Sequence, residues 1–256
     1  MNFRKILALI VSALMFLTAC GGRGGESAIG GKTISAAELI SQADNLYKER
    51  EDLAKVRTSL ELLRQARIAD GMNFEATWKT AQFNYFLGNN TKDEKERDTA
   101  FKEGIAAGRS AVRLQPERAD GYFWTGANLG GQAQADFISG AGNVSEIRQN
   151  MEKAIQLQPN YEGGTAYVAL AQIELRTRGI MGGDAGKAAA YLEQALQTDK
   201  NNSFAYYYLA EAYFALNRKP EARKMLDALR KLPVNPDYVP ERREIAEKAQ
   251  KLEARL

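Results

Sequence analysis

The clearest alternation of apolar and polar positions runs over residues 201–232, NNSFAYYYLAEAYFALNRKPEARKMLDALRKL. Leu209, Ala210 and Tyr213 recur at helical spacing on one face, and Ala222, Leu226 and Leu229 do so further on. Asn217-Arg218-Lys219-Pro220 separates the two runs, with Pro220 where a helix can begin. Ala210 and Ala222 are small enough to let the two helices pack closely. The segment therefore predicts a pair of amphipathic helices joined by a tight turn.

This pair resembles a tetratricopeptide (TPR) repeat, with Tyr206, Leu209-Ala210, Tyr213, Ala222, Leu226 and Pro233 in its consensus slots. Similar pairs are predicted upstream, over roughly 36–50 and 53–69, 74–87 and 99–114, 119–135 and 145–157, and 164–178 and 185–198. Ser35 with Glu38 forms a capping-box pattern at the first helix. Residues 236–240 then break the chain, and 241–256 read as a final capping helix. The expected fold is all-α: a TPR-like helical-hairpin solenoid of about five helix pairs plus a C-terminal capping helix. The pair endings at Gln115-Pro116, Gln158-Pro159, Asp199-Lys200 and Leu232-Pro233 are spaced by about 43, 41 and 33 residues. The usual TPR period is about 34, so the excess is expected at the connectors 88–95, 136–143 and 179–184.

Everything before residue 34 reads differently. Arg4 and Lys5 precede an apolar run from Ile6 to Leu17, the signature of a secretory signal, and the run is too short for a confident transmembrane span. It ends Leu17-Thr18-Ala19-Cys20-Gly21, which resembles the lipobox of bacterial lipoproteins. That resemblance implies cleavage before Cys20 and a lipid on its thiol, giving a signal over 1–19. Residues 20–33 form a Gly-rich tether, and the helical domain occupies 34–256. Gly21 at the next position favours, by the same resemblance, the outer membrane, facing the periplasm. Gly31-Lys32-Thr33 is no phosphate loop, because Glu26 stands where the loop needs Gly.

Composition narrows the chemistry. The 256 residues are 45% hydrophobic and 26% charged, with a formal charge of +3 and signs interspersed, so nothing marks a nucleic-acid surface. There is no His, and Cys20 is the single Cys. That removes most transition-metal sites, activated serines and disulfide frameworks. We expect no enzyme activity, no catalytic residues, no metal and no cofactor.

Binding is the remaining reading. Aligned on Ala81, Gly126, Ala171 and Ala210, the first helices of four pairs place Trp78, Phe123, Val168 and Tyr207 in one row. Gln82, Gln172 and Glu211 follow, and then Tyr85, Leu175 and Phe214. In a TPR arrangement these positions face the concave side. They either line a groove for an apolar ligand or an amphipathic partner helix, or they are core. Trp124, Tyr122, Tyr206 and Tyr208 read as core or inter-repeat packing, and Asp184 as an N-cap.

The lipobox, the TPR-like body and Gly182-Gly183-Asp184-Ala185-Gly186-Lys187-Ala188, followed by Tyr191 to Leu196, together resemble the T-component (TatT-type) lipoproteins of TRAP transporters. The resemblance covers most of 74–229. It implies a lipid-anchored accessory protein that binds a periplasmic solute-binding protein or a hydrophobic small molecule, and it admits a homo-oligomer. A TPR lipoprotein scaffold for envelope assembly (pilus, secretion or barrel) is the alternative.

Overall fold

Local signals start six of the helices where the side chain of the preceding residue can receive backbone N–H groups. Ser35, Asp52, Asn73, Asp93, Asp184 and Asn202 all accept such bonds as N-caps, and Ser35 with Glu38 completes a capping box. The computed structural model describes residues 34–135 and 141–256. The unit Ile34–Leu256 holds eleven α-helices and no strand among these residues. They are α1 (Ala36–Tyr47), α2 (Leu53–Ala69), α3 (Phe74–Asn90), α4 (Glu94–Leu114), α5 (Ala119–Ala135), α6 (Val144–Leu157), α7 (Thr165–Arg176), α8 (Ala185–Thr198), α9 (Ser203–Ala215), α10 (Lys219–Lys231) and α11 (Val239–Glu253).

The first ten helices form five sequential pairs, and each pair packs on the next. The first helices of the pairs, α1, α3, α5, α7 and α9, also touch one another in succession and make an inner layer. Small residues sit at the crossings: Ala43, Ala66, Ala81, Ala111, Ala154, Ala171, Ala188, Ala195, Ala210 and Ala222 are all completely buried. An Ala at a crossing lets two backbones approach while losing no side-chain entropy. Larger side chains such as Phe83, Leu63, Met151, Leu192 and Leu226 fill the spaces between the crossings.

The second pair departs from the sequence expectation. Residues 88–95 were expected to form a polar loop leading into an extended helix; the extended helix is present as α4, but α3 continues to Asn90 and α4 begins at Glu94. The long spacing is absorbed by extra helical turns. Gly88 stays helical because it gives room to the buried Phe101 ring, which lies between Gly88 of α3 and Gly131 of α5. A Cβ at either glycine would overlap that ring. The connector at 179–184 is a tight turn instead of an insertion: the N–H groups of Met181 and Gly183 both donate to the Thr177 carbonyl, at 2.8 and 3.2 Å. Of the connector 136–143, residues 136–140 lie outside the described residues, and 141–143 form a single 3-10 turn.

Two adjacent glycines of α5 should respond oppositely to the same change. Gly131→Ala forces a methyl against Phe101 and is expected to cost about 1–3 kcal/mol. Gly130 faces open space, and Gly130→Ala should gain up to about 1 kcal/mol through lower unfolded-state entropy. Urea denaturation of both variants checks the contrast, and equal effects would contradict the packing of Phe101.

Candidate functional site

The inner layer carries the residues expected to line a groove, and the structure divides them. Phe123, Val168 and Tyr207 are 4%, 1% and 7% exposed, so they are core. Trp78, Gln82, Tyr85, Gln172, Glu211 and Phe214 are half-buried. Trp78 and Tyr85 pack against the cluster around Phe123 and Trp124, and Phe214 packs against the cluster of α7 to α10. The row is therefore two neighbouring patches. Trp124 and Tyr208 are buried, and Tyr122 and Tyr206 pack on the same cores, in line with their reading as packing residues.

A polar chain runs through the middle of this layer. Trp124 Nε1–H donates to Tyr161 Oη at 3.0 Å, and the Tyr161 hydroxyl donates to Asp120 Oδ1 at 3.3 Å. Asp120, 3% exposed, is held by Arg118 at 3.1 Å. Tyr161 begins an unusual turn: Glu162, Gly163 and Gly164 have φ of 47°, 61° and 74°, three left-handed residues in succession. Two glycines take this at no steric cost, whereas Glu162 carries strain. The turn aims the Glu162 carboxylate at the 3-10 turn that precedes the last helix, where the Tyr238 hydroxyl donates to it at 3.0 Å. Burial raises the pKa of Glu162, and the charges of Asp120 and Glu241 add to the shift while the Tyr238 hydrogen bond opposes it.

The C-terminal helix does more than cap the fifth pair. Its Ile245 and Leu252 are buried in the α7–α10 core. At its first turn Glu241 receives Arg50, from the turn after α1, with Nη2 at 3.0 and 3.2 Å from the two carboxylate oxygens and Nε at 3.3 Å. The Arg50 guanidinium, 7% exposed, also lies over the rings of Tyr47 and Phe86 at 5.3 and 5.4 Å. Arg243 reaches Glu51 at 3.3 Å. At the other end Arg255 lies 4.9 Å over Phe214, and Lys219 donates to the Leu256 carbonyl. Tyr85 of α3, pushed up to about 12 chiefly by burial, feels the charges of Glu241, Glu244 and Lys248. Burial likewise raises Tyr208 and Glu211 of α9, and Glu244 acts on Tyr208 and Lys248 on Glu211. Helix α11 thus lies across the inner layer and joins the first pair to the fifth. It caps the fifth pair as expected, and these contacts extend it to the first. Sequence reasoning missed Arg50, Glu162, Tyr238 and Glu241, which come together across separations of up to 191 residues.

Other features singled out in the sequence resolve structurally. Asp184 caps α8 by accepting from Lys187 N–H at 2.7 Å, and its own N–H donates to Glu174 Oε2 at 3.0 Å. Glu174, 4% exposed, also takes Arg148 from α6. The Gly182–Ala188 element is therefore a helix start tied to two neighbouring helices. A surface depression lined by Leu53, Arg57, Thr91 and Glu96 lies away from the inner row. It is bridged by the Arg57–Glu96 pair, which holds the Glu96 carboxyl at about 2. No group of metal-ligating residues occurs among the described residues, and no described helix is long and apolar enough to cross a membrane. Cys20 lies outside the described residues.

Stacked helix pairs with an inner layer of first helices define a TPR-like solenoid protein. The chain belongs to the family described as "Regulator of microtubule dynamics protein 1-3", whose family model matches residues 39–168, half of its length. A tetratricopeptide repeat model matches residues 180–239. No curated protein matches the chain. Among solved structures it is similar to TTC0263, a thermophilic TPR protein in Thermus thermophilus, at 18% identity and TM-score 0.64, over 86% of this chain and 100% of that one. It is also similar to PilW, a type IV pilus biogenesis factor, at 17% identity and TM-score 0.57, over 86% and 91% of the two chains. Pseudomonas aeruginosa pilF aligns at 15% identity and TM-score 0.57, over 86% and 99%. At these identities the likeness establishes the fold.

The carboxyl of Glu162 gives a pH test. Its pKa is raised on folding, so its contribution to stability is complete below the ordinary value near 4.5 and is lost as pH rises through the raised value. Glu162→Gln removes that loss. Its melting temperature should exceed that of the unaltered chain by more at about pH 7 than at about pH 4. A difference independent of pH would place Glu162 in water.

Proposed function

We propose that this protein is a lipid-anchored, TPR-like scaffold facing the periplasm, attached through Cys20 to the outer membrane, whose inner layer binds a protein partner. The observation that carries the binding class is that Phe123, Val168 and Tyr207 are filled-in core, while the half-buried remainder of the row mixes aromatic rings with Gln82, Gln172 and Glu211. A patch of that mixed character suits a protein surface better than a passage for an apolar small molecule. PilW, a type IV pilus biogenesis factor, shares the fold. An envelope-assembly scaffold is therefore the reading we favour. The lipobox and the Gly182–Ala188 element support a second, in which the partner is the solute-binding protein of a TRAP-type transporter and this chain is its T-component.

Two measurements test this. Cys20→Ala should move the protein from the outer-membrane fraction to the soluble periplasmic fraction without changing its helicity. Crosslinking of the anchored chain followed by mass spectrometry should recover an envelope protein. Pilus, secretion or barrel subunits select the scaffold, and a solute-binding protein selects the transporter component. Unchanged fractionation of Cys20→Ala, or an extracted apolar small molecule with no protein, would overturn the reading.

A further inference from the structure

Helix α11 differs in kind from the helices beneath it. Its buried residues are Ile245 and Leu252, whereas α9, of similar length, buries Ala205, Tyr207, Tyr208, Leu209, Ala210, Ala212 and Tyr213. Ion pairs supply much of the rest of its attachment, with Arg50–Glu241 and Arg243–Glu51 at one end and Arg230–Glu253 at the other. The segment joining it to α10 contains Pro233 and Pro236, and its Val234 and Tyr238 are 57% and 44% exposed. Beside it lie Tyr208 and Glu211 on α9, the helix it packs on, and Glu162, which accepts from the Tyr238 hydroxyl of the joining segment at 3.0 Å. Both carboxylates are half-buried, unlike Asp120 and Glu174 in the permanent core, so this face can meet water when it is uncovered.

We propose that α11 is an exchangeable occupant of the inner layer, and that the partner which replaces it is an amphipathic helix of another protein built on the same plan. That plan is a carboxylate in the first turn to meet Arg50, as Glu241 does, with aliphatic side chains four and eleven residues later in the places of Ile245 and Leu252. Recognition combines the Arg50 guanidinium, held over Tyr47 and Phe86, with two apolar contacts on the α7–α10 core. The chain's own helix holds the seat at high effective concentration, so a partner binds with an affinity reduced by the fraction of time the seat is open. This inference rests on the protein-binding reading above and specifies its partner.

Amide hydrogen exchange on the unaltered full chain is the first test. Amides of α11 should exchange at least about tenfold faster than those of α9, through an opening that leaves the five pairs folded. Equal rates would make α11 part of the cooperative core and overturn the proposal. The second test uses a fluorescent peptide of residues 235–256 as the probe. The full chain carrying Ile245→Asn and Leu252→Asn should keep the helicity of its repeats and bind the probe at least about tenfold more tightly than the unaltered chain. A probe with Glu241→Lys should lose that binding, and Arg50→Glu in the chain should restore it. A folded double variant that ignores the probe, or a double variant that unfolds, would overturn the exchange. Dimerisation of the unaltered chain by trading α11 would assign the seat to a second copy and overturn the partner. Probe binding is read independently of what Cys20-anchored capture returns, so a failure of the scaffold reading and a failure of this one are distinguishable.

Discussion

A helix pair of this kind has an apolar face that it cannot bury alone, and the next pair is the nearest surface that can cover it. The completely buried alanines at the crossings show how the covering works, since each replaces side-chain volume by backbone approach. The constraint leaves the last pair with an uncovered face. Helix α11 covers it with Ile245 and Leu252 and then continues across the inner layer to Arg50 in the first pair. The terminal contact of the solenoid is consequently also a contact with its inner layer.

That double role accounts for the chemistry of the layer. Burying an aliphatic side chain stabilises by about 1.5–3 kcal/mol, so two of them hold α11 by a few kcal/mol before the entropy of ordering the helix is counted. The half-buried carboxyls of Glu162 and Glu211, whose pKa values burial raises, work against the covering. The Arg50–Glu241 pair works for it, because the guanidinium held over Tyr47 and Phe86 gives up its hydrogen bonds to the carboxylate when Glu241 leaves. The balance is modest compared with the dense cores below it.

The repeat was legible because its signals are local. Apolar spacing, the Ser35 and Asp184 caps and the Pro-terminated pairs placed α2, α5 and α8 to the residue and the remaining helices to within about five residues. Asp184 read correctly as a cap for the same reason. The 88–95 connector misled because Gly88 reads as a breaker in one dimension. Its cost of about 1 kcal/mol within a helix is offset by the fit of Phe101, a residue that is distant in sequence. The groove row was half legible. Alignment found the inner layer but could not tell which side chains neighbouring pairs would bury, so Phe123, Val168 and Tyr207 turned out to be core. The Arg50–Glu241 and Glu162–Tyr238 contacts left no trace, since no periodicity links residues 191 and 76 positions apart.

The first and last helical elements meet at Arg50 and Glu241, and a double-mutant cycle on these two residues measures that meeting directly. Arg50→Ala, Glu241→Ala and the double variant are compared by equilibrium unfolding. A buried, hydrogen-bonded charge pair predicts a coupling energy of about 1.5–3 kcal/mol, with the double variant far less destabilised than the sum of the singles. Effects that add to within about 0.5 kcal/mol would mean that α11 does not reach the first pair, and the inner layer would then be open.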